Sequence, residues 1–475
     1  MKKTINKYRR NIIIMLLITF VALLTLVSSR ALSSHKLADL VTTSRQSYII
    51  LDAHNDTLSK VINSESWLPK ANLGNSTSFE VDIPKLKQGG ISVQYFGIWV
   101  NEKDYPGRSL SRTLALLNAL FATIDNNQNQ IQLAGSTAEI EAIIANEKIA
   151  AVAAIEGADA LTEPHAIKLL YQLYDLGVRV IGFGWYHSNQ LAAGYSGTYH
   201  NGSPSPPGLT VLGKKLIEQI NRLGIILDVS HLPESSFWDV IEHTSDPVIA
   251  SHSGAYSLHP HFRNLTDEQI LAIAGRNGVV NIVFHAPFLT EPLHKASIAT
   301  IVDHIDYVVD LTGIDYVGLG SDFDGGQMPN DLPNASLYSN IIGELLARGY
   351  SQLEIEKILA GNNLRVANQV WRDNSTVLSD VHIELIKPNK MGEIFYESRP
   401  QLSAKLSGGL PNPIQEQDIQ VILDGKNISF KYDNDSNKIT AIPVNQLAQG
   451  FHVLSFQATN QQNKVAYETT IFYIK

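Results

Sequence analysis

The chain contains no cysteine. That absence excludes disulfide scaffolds, thiol nucleophiles, cysteine-ligated zinc, iron–sulfur centres and a lipoprotein anchor, so any metal must be held by nitrogen and oxygen. Charge is also sparse: 17% of residues are charged, the formal net charge is −9, and no long basic run follows the first ten positions. Nucleic acid is therefore not an expected partner. No G-x-G-x-x-G follows a strand-like run, which removes the fingerprint of a dinucleotide-binding open sheet. One uniformly apolar run occurs, Ile12 to Val27, preceded by Lys2, Lys3, Lys7, Arg9 and Arg10. A cationic start followed by an apolar stretch short of the roughly 20 residues of a comfortable span reads as an export signal. Residues 1–31 are accordingly expected to be a signal peptide, or an uncleaved anchor that tethers the protein to the membrane.

What remains is long enough for two or three domains, since 475 residues divide into about 150 per domain. Twelve of the 15 histidines lie between His54 and His304, which points to chemistry in the middle of the chain. That region alternates short β-rich runs with amphipathic helical stretches. Eight apolar runs end near His54, Phe96, Glu156, Trp185, His231, His252, Phe284 and Asp322. Helical patterns such as Pro164–Leu176, Leu209–Leu223 and Ser297–Thr312 fall between them. Strand and helix in alternation imply a parallel sheet, and eight units imply an α/β protein with a (β/α)8 TIM-like barrel over residues 45–373. Beyond Asp373 the pattern changes to about seven short alternating strands separated by turn clusters such as Asp424-Gly425. Residues 380–475 are expected to form an all-β, immunoglobulin-like sandwich that carries no cluster of catalytic residue types.

In such a barrel the functional side chains project from the C-terminal strand ends. His54 and Asp56 form H-x-D at the first of these ends, and alternate residues of extended chain share a face. Glu156 closes the third strand, His231 the fifth, His252 the sixth and Asp322 the eighth. A lone histidine there is an ordinary core residue, whereas acids and imidazoles at five ordered strand ends converge on one mouth. Zn2+ accepts that ligand set, and two ions can share a carboxylate, the role that suits Glu156. A hydroxide held between them would be the nucleophile.

These motifs resemble the membrane (renal-type) dipeptidase family, binuclear zinc peptidases on an amidohydrolase-like barrel. The resemblance runs from about Ile49 to Gln369 through LDAHNDT, GGISVQYFGIW, IEGADAL, LGVRVIGFGWYHSNQLA, GIILDVSH, PVIASHSGAYSLHPHFRN, GLGSDFDG and ILAGNNLRVA. It implies two Zn2+ per chain: one on His54 and Asp56, the other on His231 and His252, with Glu156 bridging. It further implies that Arg263 pairs with the substrate's terminal carboxylate and that Asp322 is the acid/base residue. The family has an oxyanion-stabilising histidine at the end of the fourth strand. Here Trp185 stands at the most direct alignment, and His187, two residues on, takes that role if the loop turns it inward.

The function expected is hydrolysis of dipeptides with a free C-terminal carboxylate, outside the cytoplasm (periplasmic, extracellular or membrane-anchored). A homodimer is compatible with this reading. Two alternatives share the sequence: a binuclear amidohydrolase acting on another carboxylate-bearing amide, such as an N-acyl amino acid or β-lactam, and a catalytically silent surface or adhesion protein.

Overall fold

The computed structural model describes residues 48–199, 201–372, 381–408, 414–460 and 464–475. The expected signal segment 1–31 and the junction 373–380 lie outside the described residues. Among the described residues no helix is long and apolar enough to cross a membrane.

Eight parallel strands form the barrel: β1 (Ile50–Asp52), β2 (Ile91–Trp99), β3 (Ile149–Glu156), β4 (Val178–Gly182), β5 (Ile226–Asp228), β6 (Val248–Ser253), β7 (Val279–Ile282) and β8 (Val317–Leu319). Each pairs with the next in sequence order. The seam between β8 and β1 is joined by the Ala53 amide to the Leu319 carbonyl at 3.0 Å and the Asp322 amide to the His54 carbonyl at 3.1 Å. A short strand, Ile131–Leu133, adds to the edge of β3 and was not expected from the sequence.

The strands read as continuous apolar runs because both faces are covered. β3, IAAVAAIE, is buried at every position. Ala150, Val152 and Ala154 face the barrel interior with Leu51, Val93, Tyr95, Val180, Ile226, Ile249 and Val279. Ala151, Ala153 and Ile155 join the layer beneath the surrounding helices. Trp371 packs into the interior cluster and donates to the Arg179 carbonyl at 3.2 Å. Helices follow the expected strands closely: Val211–Leu223 starts at Thr210, whose side chain accepts from the Gly213 amide, and buries Leu212, Leu216, Ile217, Ile220 and Leu223 along one stripe.

The described C-terminal residues form two antiparallel-dominated sheets, one four-stranded and one five-stranded, in keeping with the expected sandwich. One joins Val381–Lys387, Leu402–Gly408, Lys438–Ala441 and Phe430–Asp433; the other joins Glu393–Phe395, Val465–Ile474, Gly450–Thr459, Ile419–Leu423 and Lys426–Asn427. Their shared core includes Leu402, Val421, Leu454, Phe456 and Phe472, as expected for a sandwich. The opposite face of the five-stranded sheet is not free. Phe451, Val453, Ile471 and Tyr473 join the barrel's own core. Gln172 donates to the Ser455 hydroxyl at 2.9 Å and accepts from the Gly425 amide at 2.8 Å, and the Phe451 amide donates to Ser111 at 2.7 Å. This cover explains the Ser109–Asn126 helix, which buries Leu114, Leu116, Leu117 and Leu120 around much of its circumference.

His452 fixes one turn of the sandwich, with Nδ1 2.7 Å from an Asp424 carboxylate oxygen and Nε2 2.9 Å from the Ala448 carbonyl. Burial opposes a charge there, but the Asp424 partner outweighs it and raises the imidazole's pKa. A folded-state pKa above the unfolded value of about 6.5 means stabilisation that is complete below that pH and lost as pH rises through the folded pKa. The wild-type advantage over His452→Gln in thermal melts should therefore be greatest in mild acid and shrink on going alkaline. A pH-independent difference would refute the charge pairing.

Candidate metal centre

The candidate residues meet at the C-terminal mouth of the barrel, although several lie beyond the strands proper. Glu156 and His252 belong to β3 and β6, while His54, Asp56, His231 and Asp322 follow the ends of β1, β5 and β8. Glu156 is two residues beyond the inward-facing Ala154 and so points along the same face. The β6–β7 pairing shifts register between Ala250 and Ser253, an irregularity of the kind that re-aims a strand's side chains. Gly320 admits this bend: a Cβ there would lie 1.7 Å from the Ser251 carbonyl oxygen. Gly97 on β2 likewise leaves room for the H-x-D turn, since its Cβ would meet the Asn55 oxygen at 2.6 Å.

Glu156 stands at the centre of the cluster. One carboxylate oxygen is 3.1 Å from His54 Nε2; the other is 2.7 Å from His231 Nε2 and 3.7 Å from His252 Nε2. Asp56 lies 3.8 Å from His54 Nε2, and the Nε2 atoms of His231 and His252 approach to 2.9 Å. Atoms sharing a cation at 2.0–2.2 Å are separated by about 3.3 Å in a tetrahedral shell, so these spacings suit coordination. Two ligand groups, His54/Asp56/Glu156 and Glu156/His231/His252, share the one carboxylate, and Asp322 completes a third with His54 and His252. His54 Nε2, Asp56 Oδ1 and Glu156 Oε2 are buried and make no well-aligned hydrogen bond among the described residues, although the first and last face each other at 3.1 Å. Buried polar atoms are rarely left unpaired, and a cation satisfies acceptors of this kind.

The electrostatics are those of acids and imidazoles forced together. Burial opposes ionisation of Glu156, but His54 and His231 hold its carboxyl well below the usual range. Burial also works against charge on His54, yet Glu156, Asp56 and Asp322 lift its pKa to about 10. His231 is driven down to about 4, first by burial and then by the Arg263 guanidinium. Asp322 is pushed up to about 7, chiefly by burial, with the Glu156 charge adding to it and His54 opposing it.

A supporting layer escapes sequence inspection. Asp228 accepts from Ser251 Oγ at 2.5 Å, and that hydroxyl lies 2.8 Å from His252 Nδ1, orienting the ring so that Nε2 faces the cluster. Asp228 also accepts from the Ser230 and Ser251 amides. Its place in DVSH, three residues before His231, is the only sequence signal it carries. Asp324, unassigned from sequence, is a buried clasp: it accepts from Thr57 Oγ1 at 2.6 Å, Lys60 Nζ at 2.7 Å and the Glu80 amide at 3.0 Å. Asp322 and Asp324 both have positive φ, 63° and 65°, a conformation that aspartate tolerates better than most residues.

A cavity of about 400 Å3 opens over the cluster, walled by Trp99, Trp185 and Tyr186 on one side and Phe262, Arg263 and Phe288 on another. Arg263 is 4% exposed; its Nη1 and Nη2 donate to the Ser230 and His252 carbonyls, and Nε is buried and unpaired. His285, left out of the sequence reading, also lines this cavity. His187 does not: its Nδ1 is 3.0 Å from Ser196 Oγ, and it borders a separate small crevice. Trp185 takes the place in the cavity wall that was considered for His187, with its ring 6.2 Å from that of His231.

Residues 41–378 match the family described as membrane dipeptidase, peptidase family M19. The chain belongs to this family. Among its relatives is an uncharacterized protein in the pqqA 5′ region of Klebsiella pneumoniae, 39% identical over 266 residues that make up 55% of this chain and 96% of that protein. Dipeptidase 3 of Homo sapiens is 28% identical over 344 residues, 71% of this chain and 69% of the human protein. A metallopeptidase of Rhodobacter sphaeroides, solved with a phosphinate mimic of the dipeptide L-Ala-D-Ala, superposes with a TM-score of 0.60 at 26% identity, covering 68% of this chain and 99% of its own. This M19 chain is thus a hydrolase of the metallo-dipeptidase class, and its His/Asp/Glu cluster suits the metal that the class requires.

Proposed function

We propose that this M19 protein is an exported, zinc-dependent dipeptidase that cleaves dipeptides with a free C-terminal carboxylate. The observation that carries the reading is the pair of candidate ligand groups sharing Glu156, with three of their buried atoms making no well-aligned hydrogen bond among the described residues. His54 and Asp56 would hold one Zn2+, His231 and His252 the other, with Glu156 between them. When bound, the ions supply a water of lowered pKa and positive charge for a polarised carbonyl.

The chain's own residues supply the rest. Asp322, with its pKa raised to about 7, is suited to hold a proton from the attacking water and return it to the leaving amine. Arg263 is suited to bind the terminal carboxylate, because its fork matches a carboxylate and Phe288 lies 5.5 Å from the guanidinium on one face. A cavity of about 400 Å3 suits a small substrate such as a dipeptide. The cationic and apolar N-terminus, outside the described residues, supports export with either release or retention at the membrane.

A panel of dipeptides and their C-terminal amides, assayed after chelation and again after zinc addition, tests this reading. Free dipeptides should be hydrolysed only with metal restored. The amides should lose about 10- to 100-fold in kcat/KM, the value of roughly 1.5–3 kcal/mol for a hydrogen bond to a charged group. Protein that binds no metal and hydrolyses no dipeptide would overturn it.

A further inference from the structure

An amide carbonyl that becomes tetrahedral needs hydrogen-bond donors aimed at its oxygen, and the cavity wall offers few uncommitted ones. Ser59 donates to the Asp56 carbonyl at 2.8 Å. His285 accepts the Gln327 amide on Nδ1 at 2.7 Å, which places its hydrogen on Nε2, and Arg263 gives one N–H of each Nη group to a backbone carbonyl and keeps the others for the terminal carboxylate. The Trp99 Nε1 group is shut off inside the wall. Trp185 offers a neutral donor of fixed position. Its indole lines the cavity and makes ring contacts with Trp99, Tyr186 and His231, and among the described residues no hydrogen bond engages its N–H.

The ring is also held in place. Trp99 packs against it edge to face at 5.1 Å. Trp99 is the ladder partner of Glu156, so its side chain leaves β2 on the same face as that carboxylate, one strand away. The loop that carries Trp185 is pinned on both flanks: Asn189 donates to the Phe183 carbonyl at 2.5 Å and accepts from the Leu191 and Ala192 amides, while His187 meets Ser196. A donor on so constrained a loop loses little freedom when it engages a ligand.

We propose that the Trp185 indole N–H donates to the carbonyl oxygen of the scissile amide, with a bond that strengthens as that oxygen gains charge. The inference rests on the dipeptidase reading above. It assigns to a neutral, non-titrating donor the position where the sequence departs from the family's imidazole, and it leaves His187 to hold the loop.

Trp185→Phe keeps the ring and deletes the donor, and Trp185→His restores a donor of a different shape. In zinc-loaded protein, Trp185→Phe should lower kcat by roughly 100-fold, the lower end for loss of an oxyanion donor, with KM within about threefold of wild type. Trp185→His should recover most of the lost kcat. Independently, the Trp185 indole resonance, identified among the five tryptophans by its absence in Trp185→Phe, should move downfield when a phosphinate pseudo-dipeptide binds. Active wild type with Trp185→Phe retaining more than half its kcat, or an indole resonance unmoved by the phosphinate, would overturn this inference alone. Metal-loaded wild type that cleaves no dipeptide would overturn the dipeptidase reading and this inference with it.

Discussion

Glu156→Gln should strip the protein of tightly held metal and lower kcat/KM by about a thousandfold. The side chains are nearly identical in size, so the effect is one of charge and coordination. Glu156 is 4% exposed and lies within 4 Å of three imidazole nitrogens. An amide nitrogen in place of one oxygen would point N–H donors at a cation or at His54 Nε2, and the carboxylate that both ligand groups share would be gone. Losing several kcal/mol of charge stabilisation, of which about 4 kcal/mol equals three powers of ten in rate, sets the magnitude. Metal analysis after dialysis should fall from two ions per chain to one or fewer. Retention of two ions with near-normal turnover would remove Glu156 from the bridging position.

Asp322→Asn should give the opposite pairing of observations: metal content unchanged, kcat down by about 10²- to 10⁴-fold. Asparagine tolerates the positive φ of 63° at this position, so the turn after β8 should survive. The Asp322 amide hydrogen bond to the His54 carbonyl belongs to the backbone and is untouched. What disappears is a carboxyl whose pKa, lifted to about 7 chiefly by burial, suits proton transfer in both directions near neutrality. Measuring zinc stoichiometry beside kcat in the two variants separates a ligand from an acid/base residue. Loss of metal in Asp322→Asn would make it a ligand instead.

The contrast between those variants shows what could be read from the chain. His54, Asp56, Glu156, His231, His252 and Asp322 were legible because a parallel barrel turns sequence order into angular order. Each strand end delivers one position to a common mouth, so acids and imidazoles recurring at strand ends imply convergence. The apolar runs overshoot the strand ends by two or three residues at β1, β4, β5, β7 and β8, because the residues just past each strand continue the run without a turn signal. The Ser109–Asn126 helix carried no clear one-sided stripe, since barrel and sandwich cover it from two directions. Asp228, Ser251 and Asp324 had no spacing rule to reveal them: Asp228 and Ser251 meet across 23 residues, and Asp324 reaches Thr57 across 267.

The sequence by itself determined the barrel, the following β-rich unit, the absence of thiols from any metal site and the order in which the candidate ligands circle the mouth. These follow from local periodicity and composition, which the chain carries residue by residue. Only the tertiary structure decided that Trp185 rather than His187 faces the cavity, and that the sandwich shares a core with the barrel. Both depend on which face of a segment meets a distant neighbour. In an irregular loop, or in a strand buried on both sides, periodicity no longer encodes direction.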